Sequence, residues 1–346
     1  MSTKIIAFYL PQFHQTDEND LFWGEGFTEW TLVGKAKPLF KGHKQPRESI
    51  HFGEYDLMNE DIRHDQGQLA MDYGVDVFCY WHYYFGEGKT VLDKPLNRML
   101  EDGQPDIPFM LAWANKSWTA NWKGRPDQVL IEQTYSETDH KKHYQRIMQF
   151  VSSEYCSHIE HEGRIPFVIL YPGNVPELSQ MKVKWNKWLK EDMGKEFLFI
   201  GYHRYGFSKN ENAIDCWLEH EYLFSKNGDR VRSLFYKKLR RPFFVNYKKM
   251  LNRFKQLKHS VNSFPVIYSD WDNTPRMIKQ SFIFKGFNTK LFHGFLRVGQ
   301  DIQQKRKDKL IFIKSWNEWA EGNVLEPDNV NGFSVLRTIK KFKEEL

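Results

Sequence analysis

A chain of 346 residues, 40% hydrophobic and 27% charged, is long enough for one large α/β domain or two ordinary ones. Its apolar runs stop far short of the roughly 18 residues that a membrane span needs, and its three cysteines, Cys79, Cys156 and Cys216, form neither a zinc pattern nor a disulfide framework. The net charge of +6 is lopsided, because residues 226–258 hold twelve Lys or Arg and one acid, Asp229.

The first expected strand is Lys4–Tyr9 (KIIAFY). Only six apolar residues follow MSTK before Pro11, too few for a secretory leader, and the unpaired thiols suit a reducing compartment, so a cytoplasmic location is expected. After this strand come YLPQFH, with Tyr9, Gln12 and His14, and a long loop, DENDLFWGEGFTEW, with Trp23, Glu29 and Trp30. Loops of that length in a compact domain are often functional, although this one could equally plug a barrel mouth with aromatics. Glu60–Tyr73 sets Ile62, Leu69, Ala70 and Tyr73 at helical spacing. Val75–Trp81 (VDVFCYW) is a second strand ending in Trp81, His82 and Tyr83, and Ile107–Trp113 (IPFMLAW) a third, followed by Trp113, Asn115 and Trp118. Ser136–Val151 opens on SETD, a capping start for a helix.

Ile165–Tyr171 (IPFVILY) is the fourth strand, with Tyr171 and Asn174 at its end. Pro176–Met193 carries Leu178, Met181, Trp185, Trp188 and Leu189 on one helical stripe. Phe197–Tyr202 and Ala213–Leu218 are strands five and six, with room for only a short helix between them. A basic helical insertion is expected at about 221–260. Pro265–Ser269 leads into DWDNTPR, with Trp271, Asp272, Asn273 and Arg276. Lys309–Lys314 (KLIFIK) leads into WNEWAEG, with Trp316, Asn317, Glu318 and Glu321, and Phe333–Leu346 closes the chain as a helix.

Near-continuous apolar runs fit strands buried on both faces of a parallel sheet. Eight of them alternating with helices predict a single (β/α)8 TIM-type barrel over 1–346, with long βα loops and the basic insertion after strand 6. A doubly wound open sheet is the alternative, disfavoured because no strand is followed by a G-x-G-x-x-G turn. In a barrel, function sits at the C-terminal strand ends, and here six of those ends are rich in aromatics and amides. Flat rings and amides suit sugars.

Two carboxylates flanking a bond are the usual apparatus for cutting or moving a glycosidic linkage. Glu318 and Glu321 could serve, provided that the chain turns at Gly322, and mutual proximity beside indoles would push one pKa upward. On spacing alone, two exposed loop acids near the last helix are an equal reading. The aspartates of Asp270–Asp272 have a D-x-D form, and His14, His82 and His203 are better read as wall residues than as metal ligands. No metal or other cofactor is expected.

The stretch WNEWAEGNVLEP resembles the terminal motif of glycoside hydrolase family 99, the endo-α-mannosidases. The chain as a whole is still more similar to the WbsX family, a family 99-like group of bacterial surface-polysaccharide glycosyltransferases. YLPQFH, WGEGFTEW, KPLFKGHKQPR, YDL, GVDVFCYWHYYF, WANKSWTANW, WDNTPR and the terminal motif match in order from residue 5 to residue 328. The resemblance implies a (β/α)8 barrel, with Glu321 as acid/base on the glycosidic oxygen. It implies that Glu318 deprotonates the sugar's own 2-hydroxyl, giving a 1,2-anhydro sugar and retained configuration. Substrate contact is expected from Tyr9, Gln12, His14, Trp30, His82, Tyr83, Trp113, Asn115, Trp118, Tyr171, Trp271, Asp272, Asn273, Arg276, Trp316 and Asn317. One departure stands out: the family's usual W-A-N-E reads here with Lys116 in place of the acid, suiting an acidic or phosphorylated ligand or a merely exposed loop.

The expected function is a glycosyltransferase of O-antigen or capsular polysaccharide assembly. The alternatives are a retaining endo-α-glycosidase and a glycan-binding protein without catalysis. The expected partner is an oligosaccharide or lipid-linked glycan, not nucleic acid. Residues 226–258, with Phe235, Tyr236, Phe243, Phe244, Tyr247 and Phe254 among the cations, either pack on the barrel or touch an anionic membrane at its inner face.

Overall fold

The computed structural model describes residues 3–120, 125–203, 211–223, 236 and 238–346. Eight parallel strands form its centre: β1 (Thr3–Tyr9), β2 (Val77–Gly86), β3 (Phe109–Trp113), β4 (Ile165–Ile169), β5 (Phe197–Gly201), β6 (Cys216–Glu219), β7 (Ser263–Tyr268) and β8 (Lys309–Lys314). Each pairs with its neighbour in sequence, and β1 pairs with both β2 and β8, so the sheet closes without an edge. The register at the closure runs from Thr3 opposite Lys309 to Ala7 opposite Ile313. All eight expected strands are present. β2 runs on to Gly86 because its end pairs with a short antiparallel strand, Lys89–Val91. β6 starts later than expected because Glu211–Ala213 forms a 3₁₀ turn, the short connection foreseen between strands five and six.

Helices α1 (Glu60–Asp72), α2 (Lys94–Asp102), α3 (Glu137–Val151), α4 (Leu178–Met193), α5 (Tyr247–Gln256), α6 (Thr289–Ile302) and α7 (Ser334–Glu344) surround the strands. Their starts follow local chemistry: side chains of Asn59, Ser136, Asn246 and Asn288 each accept a hydrogen bond from a backbone amide of the first turn. Along α4, Leu178, Met181, Trp185 and Leu189 are buried, as the stripe predicts.

Inside the ring the core is aromatic. Phe8 of β1 stacks on Trp81 of β2 with centroids 4.7 Å apart, and its ring lies 5.9 Å from Phe312 of β8. Cys79, Cys156 and Cys216 are buried free thiols. Among the described residues, no helix is long and apolar enough to cross a membrane.

Residues 224–235 and 237 of the expected basic insertion lie outside the described residues. Further on, Phe243–Asn246 is a short strand paired in parallel with Phe282–Lys285, and α5 follows it directly. Phe243, Tyr247 and Phe254 are buried in the core, whereas Phe244 is exposed.

Candidate active site

The two glutamates meet because the chain after β8 doubles back at once. Asn317–Glu318 pairs antiparallel with Asn323–Val324, and Trp319–Glu321 makes one 3₁₀ turn between them. The turn closes on Gly322, which sits at φ +66°, a region that L residues rarely enter. A methyl there would lie 2.9 Å from the backbone N and O of Asp272. That approach is used, since the Asp272 amide donates to the Glu321 carbonyl at 2.8 Å. The hairpin is tied to β1: Asn317 accepts from the Leu10 amide at 2.7 Å, donates to the Leu10 carbonyl at 3.1 Å, and the Trp316 amide donates to Phe8 O at 2.7 Å. Beneath it, the Trp319 indole donates to the buried Glu326 at 2.6 Å.

Both carboxyls face a cleft of about 890 Å³ at the C-terminal mouth of the barrel. Lys314, the last residue of β8, bridges them, with Nζ 3.1 Å from Glu318 Oε2 and 3.2 Å from Glu321 Oε2. Trp81 Nε1 donates to Glu318 Oε1 at 2.8 Å. Arg276 donates to Glu321 Oε1 and to Glu29 Oε1, each at 2.6 Å, so a third buried carboxylate stands behind the pair.

This arrangement separates the charges. Burial pushes Glu318 up to about 7, against the pull of Lys314 and with the help of Glu321. Burial acts the same way on Glu321, but Lys314 and Arg276 outweigh it and hold that carboxyl well below the usual carboxylate range. The two carboxyls titrate as a pair, and the cations beside Glu321 favour Glu318 as the holder of the shared proton. Lys314 and Arg276 are both held charged by the acids around them, in spite of burial.

Of the residues expected in the site, Tyr83, Trp118, Tyr171, Trp271, Asn273, Arg276, Glu318 and Glu321 line the cleft. The others support it from behind or lie elsewhere, for a simple reason: side chains alternate along a strand. Trp81 and Tyr83 face the cleft, so His82 between them turns away and pairs with His143 of α3 at 3.1 Å. Likewise Tyr9 turns from the barrel axis and donates to Gln66 of α1. Trp113 is spent on the carbonyl of Tyr84, and Asn115 clamps the backbone N and O of Tyr171 at 2.8 Å each. Asp272 bonds His43 at 2.7 Å and Thr274, while Asp270 pairs with Arg47, so both acids of the D-x-D are occupied by the protein. Gln12, His14, Trp30, Trp316 and Asn317 are buried, with Trp30 packed on Phe13, Tyr55 and Trp319. His203 lines the cleft, stacked on Tyr171 at 4.8 Å. Lys116 is exposed at the same side, its Nζ 5.7 Å from the Tyr171 ring. Among the described residues, no group of three His, Cys, Asp or Glu could hold a metal ion.

Sequence reasoning left out of the site Lys314, Tyr202, Tyr268, Phe282 and Phe284, and named Trp81 at its strand end without counting it among the substrate contacts; all six line the cleft. Lys314, Tyr202 and Tyr268 sit at or next to the C-terminal ends of β8, β5 and β7, so the strand-end rule could have found them. Phe282 and Phe284 come from the short strand beyond β7, and no local pattern marks that strand as a cleft wall.

This chain sets paired acids in a ring-lined cleft at the C-terminal mouth of a closed parallel barrel, the place where barrel enzymes carry their chemistry. It belongs to the WbsX glycosyltransferase family, whose model matches residues 5–339. Uncharacterized protein WxcX of Xanthomonas campestris pv. campestris is 32% identical to it over 348 residues, in each of two strains, covering 97% of this chain and 49% of WxcX. The chain thus spans about half the length of the curated relatives it matches. Among solved structures, a GH99 endo-alpha-mannosidase from Bacteroides thetaiotaomicron, in complex with BIS-TRIS-propane, superposes with a TM-score of 0.61 at 13% identity, covering 99% of this chain and 96% of that one. A glycoside hydrolase-like protein gives 0.61 at 14% identity, covering 98% and 93%. At such identities these two structures show the shared fold.

Proposed function

We propose that the cleft breaks and remakes an α-glycosidic bond whose sugar carries a 2-hydroxyl trans to the leaving group, as in α-mannosides and α-rhamnosides. The observation that carries this reading is the hairpin that brings Glu318 and Glu321 onto one ammonium, Lys314, in a cleft walled by indoles and phenols. One acid protonates the departing oxygen. The other takes the proton of the 2-hydroxyl, which attacks the anomeric carbon to give a 1,2-anhydro sugar. The leaving group departs with one proton, and opening of the anhydro ring by an acceptor hydroxyl restores it and retains configuration. An incoming sugar makes the reaction transfer; water makes it hydrolysis.

We favour transfer onto a lipid-linked glycan during O-antigen or capsular polysaccharide assembly, in the cytoplasm or at the inner membrane face, on family membership and on the basic surface beside the cleft. Retaining endo-α-glycosidase action is the second reading, favoured by the intact glutamate pair. Roles within the pair also have two readings. The family resemblance makes Glu321 the acid, while burial gives the resting proton to Glu318. The first reading needs that proton to cross to Glu321 when the sugar binds; the second uses it where it rests.

One set of substrates tests both points. Purified protein is offered aryl α-mannosides and α-rhamnosides, and separately nucleotide-sugar donors with a lipid-linked acceptor. Glu318→Gln and Glu321→Gln are each expected to abolish turnover of substrates with a poor leaving group. With an activated dinitrophenyl leaving group, only the variant lacking the acid recovers, because that departure needs no proton. Full activity in both variants on ordinary substrates would remove the pair from the chemistry.

A further inference from the structure

Three acid-free stretches of chain meet beside the cleft. Residues 35–47, 238–258 and 273–290 contain seventeen Lys or Arg and no Asp or Glu. They are joined in space. Phe243–Asn246 pairs with Phe282–Lys285, and Phe40 meets Phe244 edge to face at 5.4 Å. Phe40 also stacks on His43, which bonds Asp272 at 2.7 Å, next to the hairpin of the two glutamates. The two-stranded ribbon has two sides, set by alternation. Phe282 and Phe284 line the cleft, whereas Phe244 and Lys285 are exposed to solvent. On this outer side Phe40 is 40% exposed and Phe244 41%, and Leu239, on the segment leading into the ribbon, is 49% exposed. Lys41, Lys44, Arg240, Arg241, Lys248 and Lys285 are exposed too, and none forms an ion pair among the described residues.

We propose that this face docks the protein on an anionic lipid bilayer. Phe40, Phe244 and Leu239 enter the headgroup region while the surrounding cations meet lipid phosphates. The occupant follows from the pairing of the two chemistries. Exposed apolar groups carried on the same segments as exposed cations match a surface that is anionic outside and apolar just beneath. A nucleic acid would meet the cations and stack on the rings but leave the aliphatic Leu239 without a use. The ribbon that carries Phe244 outward carries Phe282 and Phe284 inward, so docking holds the cleft mouth at the bilayer surface, within reach of a glycan carried on a lipid. That use rests on the reading above; the docking itself is independent of whether the glutamate pair transfers or hydrolyses.

Vesicle flotation of the full chain tests it, with phosphatidylcholine alone and with about one-third phosphatidylglycerol, at low and at high salt. Co-flotation is expected with the anionic vesicles alone, and is expected to weaken at high salt. Combined Lys41→Glu, Arg240→Glu, Lys248→Glu and Lys285→Glu is expected to lower vesicle affinity at least about tenfold. Phe244→Ser alone is expected to weaken vesicle binding several-fold and to leave heparin binding unchanged. Turnover of a water-soluble aryl glycoside, read in parallel, reports on the cleft alone and stays at the parent rate. Absence from anionic vesicles, or equal binding to neutral ones, overturns the proposal. So does a Phe244→Ser protein that binds vesicles like the parent, since the face would then be a general polyanion surface.

Discussion

Trp81 and Glu318 are joined by a 2.8 Å hydrogen bond, from the indole of one to the carboxyl of the other, linking the end of β2 to the hairpin after β8. The indole is a donor fixed by its stacking on Phe8, so it holds Glu318 Oε1 at one place in the cleft. Trp81→Phe keeps the stack and removes the donor. Once Glu318 is ionised this bond is worth about 1.5–3 kcal/mol, so where the ionised form acts as the base kcat is expected to fall about 10- to 100-fold with little change in KM. Losing the donor also destabilises the ionised form, so the limb of the rate profile that reports Glu318 moves to higher pH.

Lys314 lowers the proton affinity of both glutamates. Lys314→Met leaves two buried acids with Arg276, Trp81 and Asn323 as their remaining donors. Both carboxyls then titrate higher than in the parent, and the pair takes up a proton near neutrality. Activity at pH 7 is expected to drop, and stability by about 3–5 kcal/mol, the usual result of removing one partner of a buried pair. The variant is expected to regain stability as pH falls, because its folded state binds more protons than the unfolded chain. Denaturant titrations across pH 5–8 check this.

Glu326 gives a pH effect away from the chemistry. It accepts hydrogen bonds from Tyr55 at 2.9 Å, from Gln66 at 2.6 Å and from Trp319 at 2.6 Å, yet burial dominates and pushes it up to about 7. Between the unfolded value of 4.5 and 7, the folded protein holds a proton that the unfolded chain has released. Its contribution is fully present below pH 4.5 and is lost as pH rises towards 7, by about 3 kcal/mol in all. Glu326→Gln is expected to flatten the stability curve by close to one proton over that interval, measured by urea unfolding.

Gly322→Ala probes the turn itself. The residue would need φ +66° and would bring its methyl within 2.9 Å of Asp272 backbone atoms. The hairpin must open or Asp272 must move, and either parts the two acids. A stability loss of about 1–3 kcal/mol is expected, together with a fall in kcat of more than tenfold. A variant that keeps kcat would show that the spacing of the carboxyls does not depend on this turn.

Much of the barrel was legible because its cause is local. KIIAFY, VDVFCYW and KLIFIK are apolar on both faces, and only a strand enclosed on both sides needs that. The terminal motif was legible through its likeness to a known family, since spacing alone reads Glu318 and Glu321 equally well as exposed loop acids. What sequence could not supply was direction. His82, Tyr9 and Trp113 sit at strand ends like Trp81 and Tyr83, but alternation turns them outward, His82 and Trp113 against His143 of α3 and Tyr9 to Gln66 of α1. Lys314 read as the end of an apolar run, and its role appears only when the hairpin folds back over it. Arg276 was named for its motif, yet its link between Glu29 and Glu321 joins residues 247 and 45 positions away.

The clasp of Asn317 on Leu10 spans 307 positions of chain. A growing polypeptide on the ribosome can raise most of the aromatic wall early, but it owns neither acid until the eighth strand has been made. The pairing of the two acids therefore waits on the hairpin after β8 being laid against the segment after β1.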